Sequence, residues 1–138
     1  MVGVAVGEFH TVALSSEGVM WSWGSNANGQ LGRLECAERV MVPTPIAALE
    51  GVDVVQVSAS RHHVAAVTRD GRVWTWGGNS HGQLGHGDRI TRFVPKRVDA
   101  LKHVNITAVA AGLHHTVAIC DLGEVYAWGS NEFGELGL

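Results

Sequence analysis

Histidine is the residue type in this chain best suited to chemistry, because it binds metals and transfers protons near neutral pH. Eight histidines are present, and four of them form the adjacent pairs His62-His63 and His114-His115. A zinc site needs four ligands at a recognisable Cys/His spacing. No such spacing occurs. The two cysteines, Cys36 and Cys120, occupy different positions in the repeat, and neither has a cysteine at the equivalent position of another repeat. We therefore predict neither a metal site nor a cofactor.

A second property of the histidines is their period. The anchor histidines are His10, His63 and His115, separated by 53 and 52 residues. The tryptophans that repeat at the same two steps are Trp23, Trp76 and Trp128. A fixed period of about 50 residues indicates a propeller or a solenoid, in which one repeat cannot bury its apolar surface alone. We interpret both sets as structural positions, and we expect each histidine to make the same packing contact and hydrogen bond in its own repeat.

The elements that must position these residues are four strands per repeat. In the second repeat we predict strands at Val54–Ala59, His63–Val67, Arg72–Trp76 and Val94–Val98. The Asp70-Gly71 pair before the third strand is a strong hairpin signal. Proline in the fourth strand places that strand at an outer edge, because proline cannot donate to a ladder. The predicted class is all-β.

The length sets how much of a propeller is present. We divide residues 1–138, one propeller segment, into repeats at about 2–51, 52–103 and 104–138, the last of them incomplete. Closed propellers have about 4–8 blades of four strands. The sequence therefore predicts a partial β-propeller, with two four-stranded blades and three strands of a third.

Four segments carry a family resemblance. They are GEFHTVAL at 7–14, WGSNANGQLG at 23–32, WGGNSHGQLGHG at 76–87 and GLHHTVAI at 112–119. They resemble the regulator of chromosome condensation repeat, which builds seven-bladed propellers, so the resemblance implies a piece of a seven-bladed ring. Two departures from its pattern are Ser60 in place of glycine and Glu135 in place of glutamine.

The family hosts several activities, and a fold does not choose among them. Members include an exchange factor for a small nuclear GTPase that also binds chromatin, a plant ultraviolet photoreceptor, and ubiquitin-ligase subunits. In the photoreceptor the light-absorbing tryptophans follow the glycine of the Gly-x-x-His motif. Here those positions are Glu8, Arg61 and Leu113, which argues against photoreception.

The Gly-rich loops lack the lysine and Ser/Thr of a phosphate-binding loop.

Charge is distributed unevenly. Residues 51–100 carry seven basic and four acidic groups, whereas residues 1–50 carry two and five. We name seven candidate interaction residues on two variable loops and an outer strand: Arg33, Glu35, Arg39, Arg89, Arg92, Lys96 and Arg97. Such a cluster can steer an acidic partner, while the simpler interpretation is a solvated rim with Asp88 and Asp99 nearby.

Taken together, these features favour a non-enzymatic protein-interaction scaffold. No nucleophile, base and orienting acid share a spacing that the fold would bring together. The alternative is part of a guanine-nucleotide exchange factor for a small GTPase, of the kind that is also associated with chromatin. We expect protein partners, such as a small GTPase or a component of the ubiquitin pathway. We also expect contact with further propeller blades, supplied by the same chain or by self-association. With no signal peptide, no membrane span and a net charge of −3, we expect an intracellular protein, cytoplasmic or nuclear, that does not bind nucleic acid directly.

Overall fold

A computed structural model describes residues 3–33 and 38–130. These residues form eleven strands in three antiparallel sheets. Blade 1 contains β1 Gly3–Val6, β2 His10–Leu14, β3 Met20–Ser25 and β4 Arg39–Pro45. Blade 2 contains β5 Val54–Ala59, β6 His63–Thr68, β7 Val73–Gly77 and β8 Arg92–Arg97. Blade 3 contains β9 Ile106–Ala111, β10 His115–Cys120 and β11 Val125–Gly129.

The order of strands within each sheet follows the chain, as in the blades of a propeller. In blade 2, for example, His63 pairs with Gly77 across β6 and β7, and the equivalent pair in blade 1 is His10 with Gly24. The prediction of a partial β-propeller is confirmed. The fourth strands begin earlier than the prolines predict, at Arg39 rather than Val42 in blade 1 and at Arg92 rather than Val94 in blade 2, because both segments join the ladder before their prolines.

Each pair of blades meets at an apolar seam. The first seam, between blades 1 and 2, buries Val12, Leu14 and Met20 against Val64 and Trp76. The second seam, between blades 2 and 3, is built from a cluster that includes Val67, Val73, Ile106 and Ala118. Alternate residues of β7 therefore serve opposite seams, as the period of two in a strand requires. The tryptophans Trp74 and Trp76 face blade 1, whereas Val73 faces blade 3.

The second seam also carries hydrogen bonds that have no equivalent at the first seam among the described residues. The Gln56 amide group donates to the Val109 carbonyl oxygen (2.9 Å) and accepts from the Val109 N–H (2.8 Å). The Ser58 hydroxyl accepts from the Ala111 N–H (3.0 Å). One repeat earlier, the residues equivalent to Gln56 and Ser58 are Gly3 and Ala5, which cannot form this clamp.

Two short 3₁₀ turns, Ala47–Leu49 and Asp99–Leu101, follow β4 and β8. They were not predicted, because one turn of helix leaves no periodic pattern. Their leucines, Leu49 and Leu101, are buried and close the outer ends of the two seams. In the described part of the chain no helix is long and apolar enough to cross a membrane.

The strand directions define two ends of the segment. At the motif end lie the Gly-x-x-His loops at 7–9, 60–62 and 112–114, together with the loops that follow β3 and β7. At the hairpin end lie the β2–β3, β6–β7 and β10–β11 hairpins and the two 3₁₀ turns. Each hairpin has a glycine with positive φ. At Gly71 (φ 82°) a side chain would also collide with Asn105, so that glycine is required twice over.

Candidate interaction surface

The asparagine and glutamine of the repeated motif organise the loops at the motif end. The side-chain amide oxygen of Asn79 accepts from the Leu84 N–H (3.0 Å), and that of Gln83 accepts from the His81 N–H (2.9 Å). Asn79 also donates to the main-chain oxygens of Asp88 (3.1 Å) and Ile90 (3.0 Å). The equivalent residues of blade 1, Asn26 and Gln30, make the same two loop contacts. These polar side chains are buried and structural.

The core tryptophans connect one blade to the loop of the blade before it. The Trp76 indole N–H donates to the Gln30 carbonyl oxygen (3.0 Å), and the Trp128 indole N–H donates to the Gln83 carbonyl oxygen (2.9 Å). Trp76 is fully buried. Trp23, their equivalent in blade 1, is half-buried on the face that turns away from the first seam.

His63 is held on both sides by hydroxyl groups. Its Nδ1 lies 2.7 Å from Ser60 Oγ, and its Nε2 lies 2.9 Å from Thr116 Oγ1 in blade 3. Because Thr116 donates to the Gln83 carbonyl oxygen (2.6 Å), its hydroxyl must accept from His63 Nε2–H. Ser60, the departure from the glycine pattern, thus supplies a partner. Burial lowers the pKa of His63 to about 3, and nearby histidines add to the effect.

His10 has a different environment, and the expectation that each anchor histidine makes the same hydrogen bond was wrong. Both ring nitrogens of His10 are buried without a partner among the described residues. The residue equivalent to Ser60 is Gly7, and the residue equivalent to Thr116 is Val64, so neither supplies a hydroxyl. Burial lowers the pKa of His10 to about 4. His115 begins β10 and is half-buried.

Two serine–histidine contacts of the described residues resemble a nucleophile with its base: Ser80–His81, which is exposed (3.0 Å), and Ser60–His63, which is buried and shorter (2.7 Å). The Ser60–His63 pair cannot act as a nucleophile with its base, because His63 is 0% exposed and no substrate can reach it. In addition, a histidine with a pKa of about 3 is too weak a base to accept the serine proton at neutral pH. The pair contributes to packing between blades.

The exposed positions of the motif end differ from blade to blade although their backbone is the same. The positions after the motif glycine are Glu8, Arg61 and Leu113, and Arg61 forms an ion pair with Glu8 across the first seam. Phe9 is 70% exposed and Leu113 is 51% exposed. Two exposed apolar side chains therefore lie at the same end of the segment as the ion pair.

Histidines continue this surface across blades 2 and 3. The Asn28 amide donates to His62 Nδ1 (3.1 Å), and the rings of His81 and His114 stack with centroids 4.1 Å apart. His62 and His114 lie 6.4 Å apart with nearly parallel rings. Stacked rings do not direct their nitrogens to one point, and residues 3–33 and 38–130 contain no group of three side chains able to hold a metal ion. We define the motif-end surface as Glu8, Phe9, Asn28, Arg61, His62, His81, Leu113 and His114.

The loop and rim residues named from the sequence are dispersed. Arg33 is turned inward, toward Ser22 Oγ (3.1 Å) and the Thr44 carbonyl oxygen (3.2 Å). Arg92 pairs with Asp88 (2.6 Å). Lys96 and Arg97 lie 3.6 and 3.8 Å from Asp99 carboxylate oxygens, at the opposite end of β8. Arg39 and Arg89 are exposed at the motif end, and Glu35 lies outside the described residues.

Sequence reasoning missed most of the motif-end surface as a unit. Its members were visible, since Glu8 and Arg61 are 53 residues apart and His62 and His114 are 52 apart. Residues at equivalent positions of successive blades become neighbours in space, and this spacing was the available signal.

Comparison with known proteins identifies the repeat. Residues 17–67 and 70–119 match the family described as "Regulator of chromosome condensation (RCC1) repeat". A second match with the same description covers residues 1–30, 54–83 and 106–135.

Relatives differ widely in their named roles. The ultraviolet-B receptor UVR8 of Arabidopsis thaliana is 42% identical over 97% of this chain, and the match covers 30% of the receptor. The probable E3 ubiquitin-protein ligase HERC6 of Homo sapiens is 38% identical over 98% of this chain and 13% of the ligase. The chain thus spans less than a third of the length of these relatives.

Solved structures show the same fold. Yeast RCC1 (Prp20), in its complex with Kap60, superposes with a TM-score of 0.85 at 28% identity, covering 99% of this chain and 33% of Prp20. Human WBSCR16 gives a TM-score of 0.85 at 30% identity, over 93% of this chain and 32% of its own. A second structure, of Prp20p from Saccharomyces cerevisiae, gives a TM-score of 0.83 at 30% identity, over 99% of this chain and 34% of Prp20p. That structure was described together with the binding properties of Prp20p to Gsp1p and histones.

Proposed function

Because the chain belongs to the regulator of chromosome condensation repeat family, we propose that it is a non-enzymatic protein-interaction scaffold that contacts its partner through the motif-end surface. The proposal depends on one observation: two exposed apolar side chains, Phe9 and Leu113, lie at the same end of the propeller segment as the Glu8–Arg61 ion pair. Aromatic and arginine side chains are enriched among residues that dominate binding energy at protein interfaces.

The identity of the partner depends on side chains that vary between blades. The motif histidines, tryptophans, asparagines and glutamines are used by the fold, so they are not available for recognition. Arg39 and Arg89 extend the surface at its outer margin and add positive charge there. This combination suits a partner with an apolar patch and acidic residues around it.

Position-specific photo-crosslinking tests the proposal in cells that express the protein. A photoreactive phenylalanine derivative replaces Phe9, and in a matched control it replaces Met41, which is 79% exposed on β4. We expect a discrete crosslinked protein from position 9 and none from position 41. The variant Arg61→Glu, which places two acids together, should weaken the crosslink at least tenfold while leaving thermal unfolding unchanged, because an exposed ion pair contributes about 0–1 kcal/mol.

Two results would contradict the proposal. Equal crosslinking from positions 9 and 41 would mean that the surface has no selectivity. A crosslink from position 9 that is unaffected by Arg61→Glu would mean that the ion pair is not part of the contact.

A second candidate function is guanine-nucleotide exchange, which is favoured by the likeness to yeast RCC1 and by the described binding of Prp20p to Gsp1p. Exchange requires no covalent chemistry, only distortion of the nucleotide site of the GTPase. The test is release of a fluorescent GDP analogue from a purified small nuclear GTPase of the Gsp1p type. Accelerated release that is lost in Arg61→Glu favours exchange, and binding without acceleration favours the scaffold. A link to the ubiquitin pathway rests on the HERC6 relative.

A further inference from the structure

A cavity of about 600 Å³ opens at the hairpin end, between the β2–β3 hairpin, the first 3₁₀ turn and the connection to β5. Its lining includes the buried side chains Met20, Ile46 and Leu49. Val19, which is 39% exposed, and Val52 add apolar surface beside them. Sites for small ligands and peptide side chains typically have volumes of about 300–1,000 Å³ and mostly apolar linings.

A difference between the repeats explains why this cavity is open. The residue equivalent to Val19 in blade 2 is Arg72. The Arg72 guanidinium extends to 3.5 Å from the carbonyl oxygen of Val104, the residue equivalent to Val52. An arginine thus crosses the equivalent place at the second seam, whereas the shorter Val19 leaves the first seam uncovered.

The rim of the cavity is acidic. Glu17, Glu50 and Asp53 line it, and all three are exposed. Asp53 is paired with Arg69 (2.7 Å), while Glu17 and Glu50 form no ion pair within the part of the chain that the structure describes. The residue equivalent to Glu17 in blade 2 is also acidic, Asp70, whereas the residue equivalent to Glu50 is Lys102, so the two seams differ in charge at the position of Glu50.

We propose that this cavity, lined by Val19, Met20 and Leu49 and bordered by Glu17 and Glu50, binds a protein segment in which apolar side chains are flanked by lysine or arginine. The apolar side chains occupy the cavity, and the basic side chains pair with the rim carboxylates. Apolar contact supplies the affinity, and the charges select the segment and its orientation. The site is separate from the motif-end surface and does not depend on it.

Fluorescence anisotropy tests the proposal with a fluorescein-labelled heptapeptide, Lys-Lys-Leu-Ala-Leu-Lys-Lys. We expect saturable binding that weakens at least tenfold when both leucines are replaced by serine or all lysines by glutamate. Val19→Arg, which copies blade 2, and Glu50→Lys should each weaken binding of the original peptide at least tenfold.

Matched controls separate the site from general charge. Val42→Arg adds the same charge on the exposed part of β4, and Glu124→Lys makes the same change in the hairpin of blade 3. Both should leave peptide affinity within twofold of the parent, and all four variants should retain the parent's thermal unfolding temperature.

The proposal is overturned if the peptide fails to bind at millimolar protein. It is also overturned if Val19→Arg and Glu50→Lys bind as tightly as their controls, or if the serine peptide binds as well as the leucine peptide. None of these results would affect crosslinking from position 9, so the two surfaces succeed or fail separately.

Discussion

Exchange of one side chain between the two seams should change the free energy of unfolding in opposite directions. Thr116→Val gives the second seam the residue that the first seam has at Val64, and Val64→Thr makes the opposite change. Both positions are 0% exposed, and valine and threonine have nearly the same shape. The pair of substitutions therefore isolates the hydroxyl group.

The magnitude follows from the contacts of Thr116. Its hydroxyl accepts from His63 Nε2–H (2.9 Å) and donates to the Gln83 carbonyl oxygen (2.6 Å). The carbonyl retains the Trp128 indole N–H as a donor, but His63 Nε2–H would be left buried and unpaired. A lost hydrogen bond with a stranded partner costs about 1–3 kcal/mol, so we expect Thr116→Val to lower the free energy of unfolding by about 2 kcal/mol.

Val64→Thr should have the opposite sign. By equivalence the new hydroxyl would donate to the Gln30 carbonyl oxygen and accept from His10, whose ring nitrogens lack partners among the described residues. The gain from each hydrogen bond is partly offset by burial of the hydroxyl, which leaves a net stabilisation of about 0.5–1 kcal/mol.

Urea denaturation followed by tryptophan fluorescence and circular dichroism measures both changes. The control is Thr107→Val on β9, where the hydroxyl donates to the Ile119 carbonyl oxygen (3.2 Å) in a solvent-exposed hydrogen bond, and its loss should lower the free energy of unfolding by less than about 1 kcal/mol. The reasoning would be refuted if Thr116→Val cost no more than this control, or if Val64→Thr destabilised the protein as much as Thr116→Val. An unchanged m-value is needed for the comparison.

Three further outcomes are expected. Burial lowers the pKa of His10 and His86 to about 4 and that of His63 to about 3. Because histidines of the unfolded chain have a pKa near 6.5, the unfolded chain binds more protons than the folded chain below about pH 6.5. The free energy of unfolding measured in urea should therefore fall as the pH decreases below about 6.5, by up to about 1.4 kcal/mol per pH unit for each histidine, and should change little from pH 7 to 8. Trp76→Ala should cost about 3–5 kcal/mol in the same assay, because it removes the largest fully buried side chain, and a loss below about 1 kcal/mol would mean that the indole is not part of the core. Gly71→Ala should lower the melting temperature more than Gly123→Ala, because both have a φ near 80° but only Gly71 faces a neighbouring side chain; equal shifts would discount that contact.

The fold could be predicted because each repeat contains the local sequence signals of its own strands and turns. Alternation along β7, the Asp70-Gly71 turn and the recurring tryptophans are local signals, and three copies of them agree. The 3₁₀ turns and the early starts of β4 and β8 were missed because they depend on contacts with neighbouring strands rather than on periodicity.

The candidate surfaces were harder to predict because their chemistry depends on the neighbouring blade. The environment of His63 is decided by Thr116, 53 residues away, and that of His10 by Val64, 54 residues away. Equivalent residues in the sequence therefore have different partners in the structure. The cavity beside Val19 likewise follows from a difference between repeats, since Arg72 stands at the equivalent position.

The Gln56 clamp has a consequence for the order in which the segment opens. It joins blades 2 and 3 through main-chain groups of β9, and no equivalent joins blade 1 to blade 2. Blades 2 and 3 should therefore behave as one cooperative unit in amide hydrogen exchange, and β1 to β4 should exchange through a lower-energy opening.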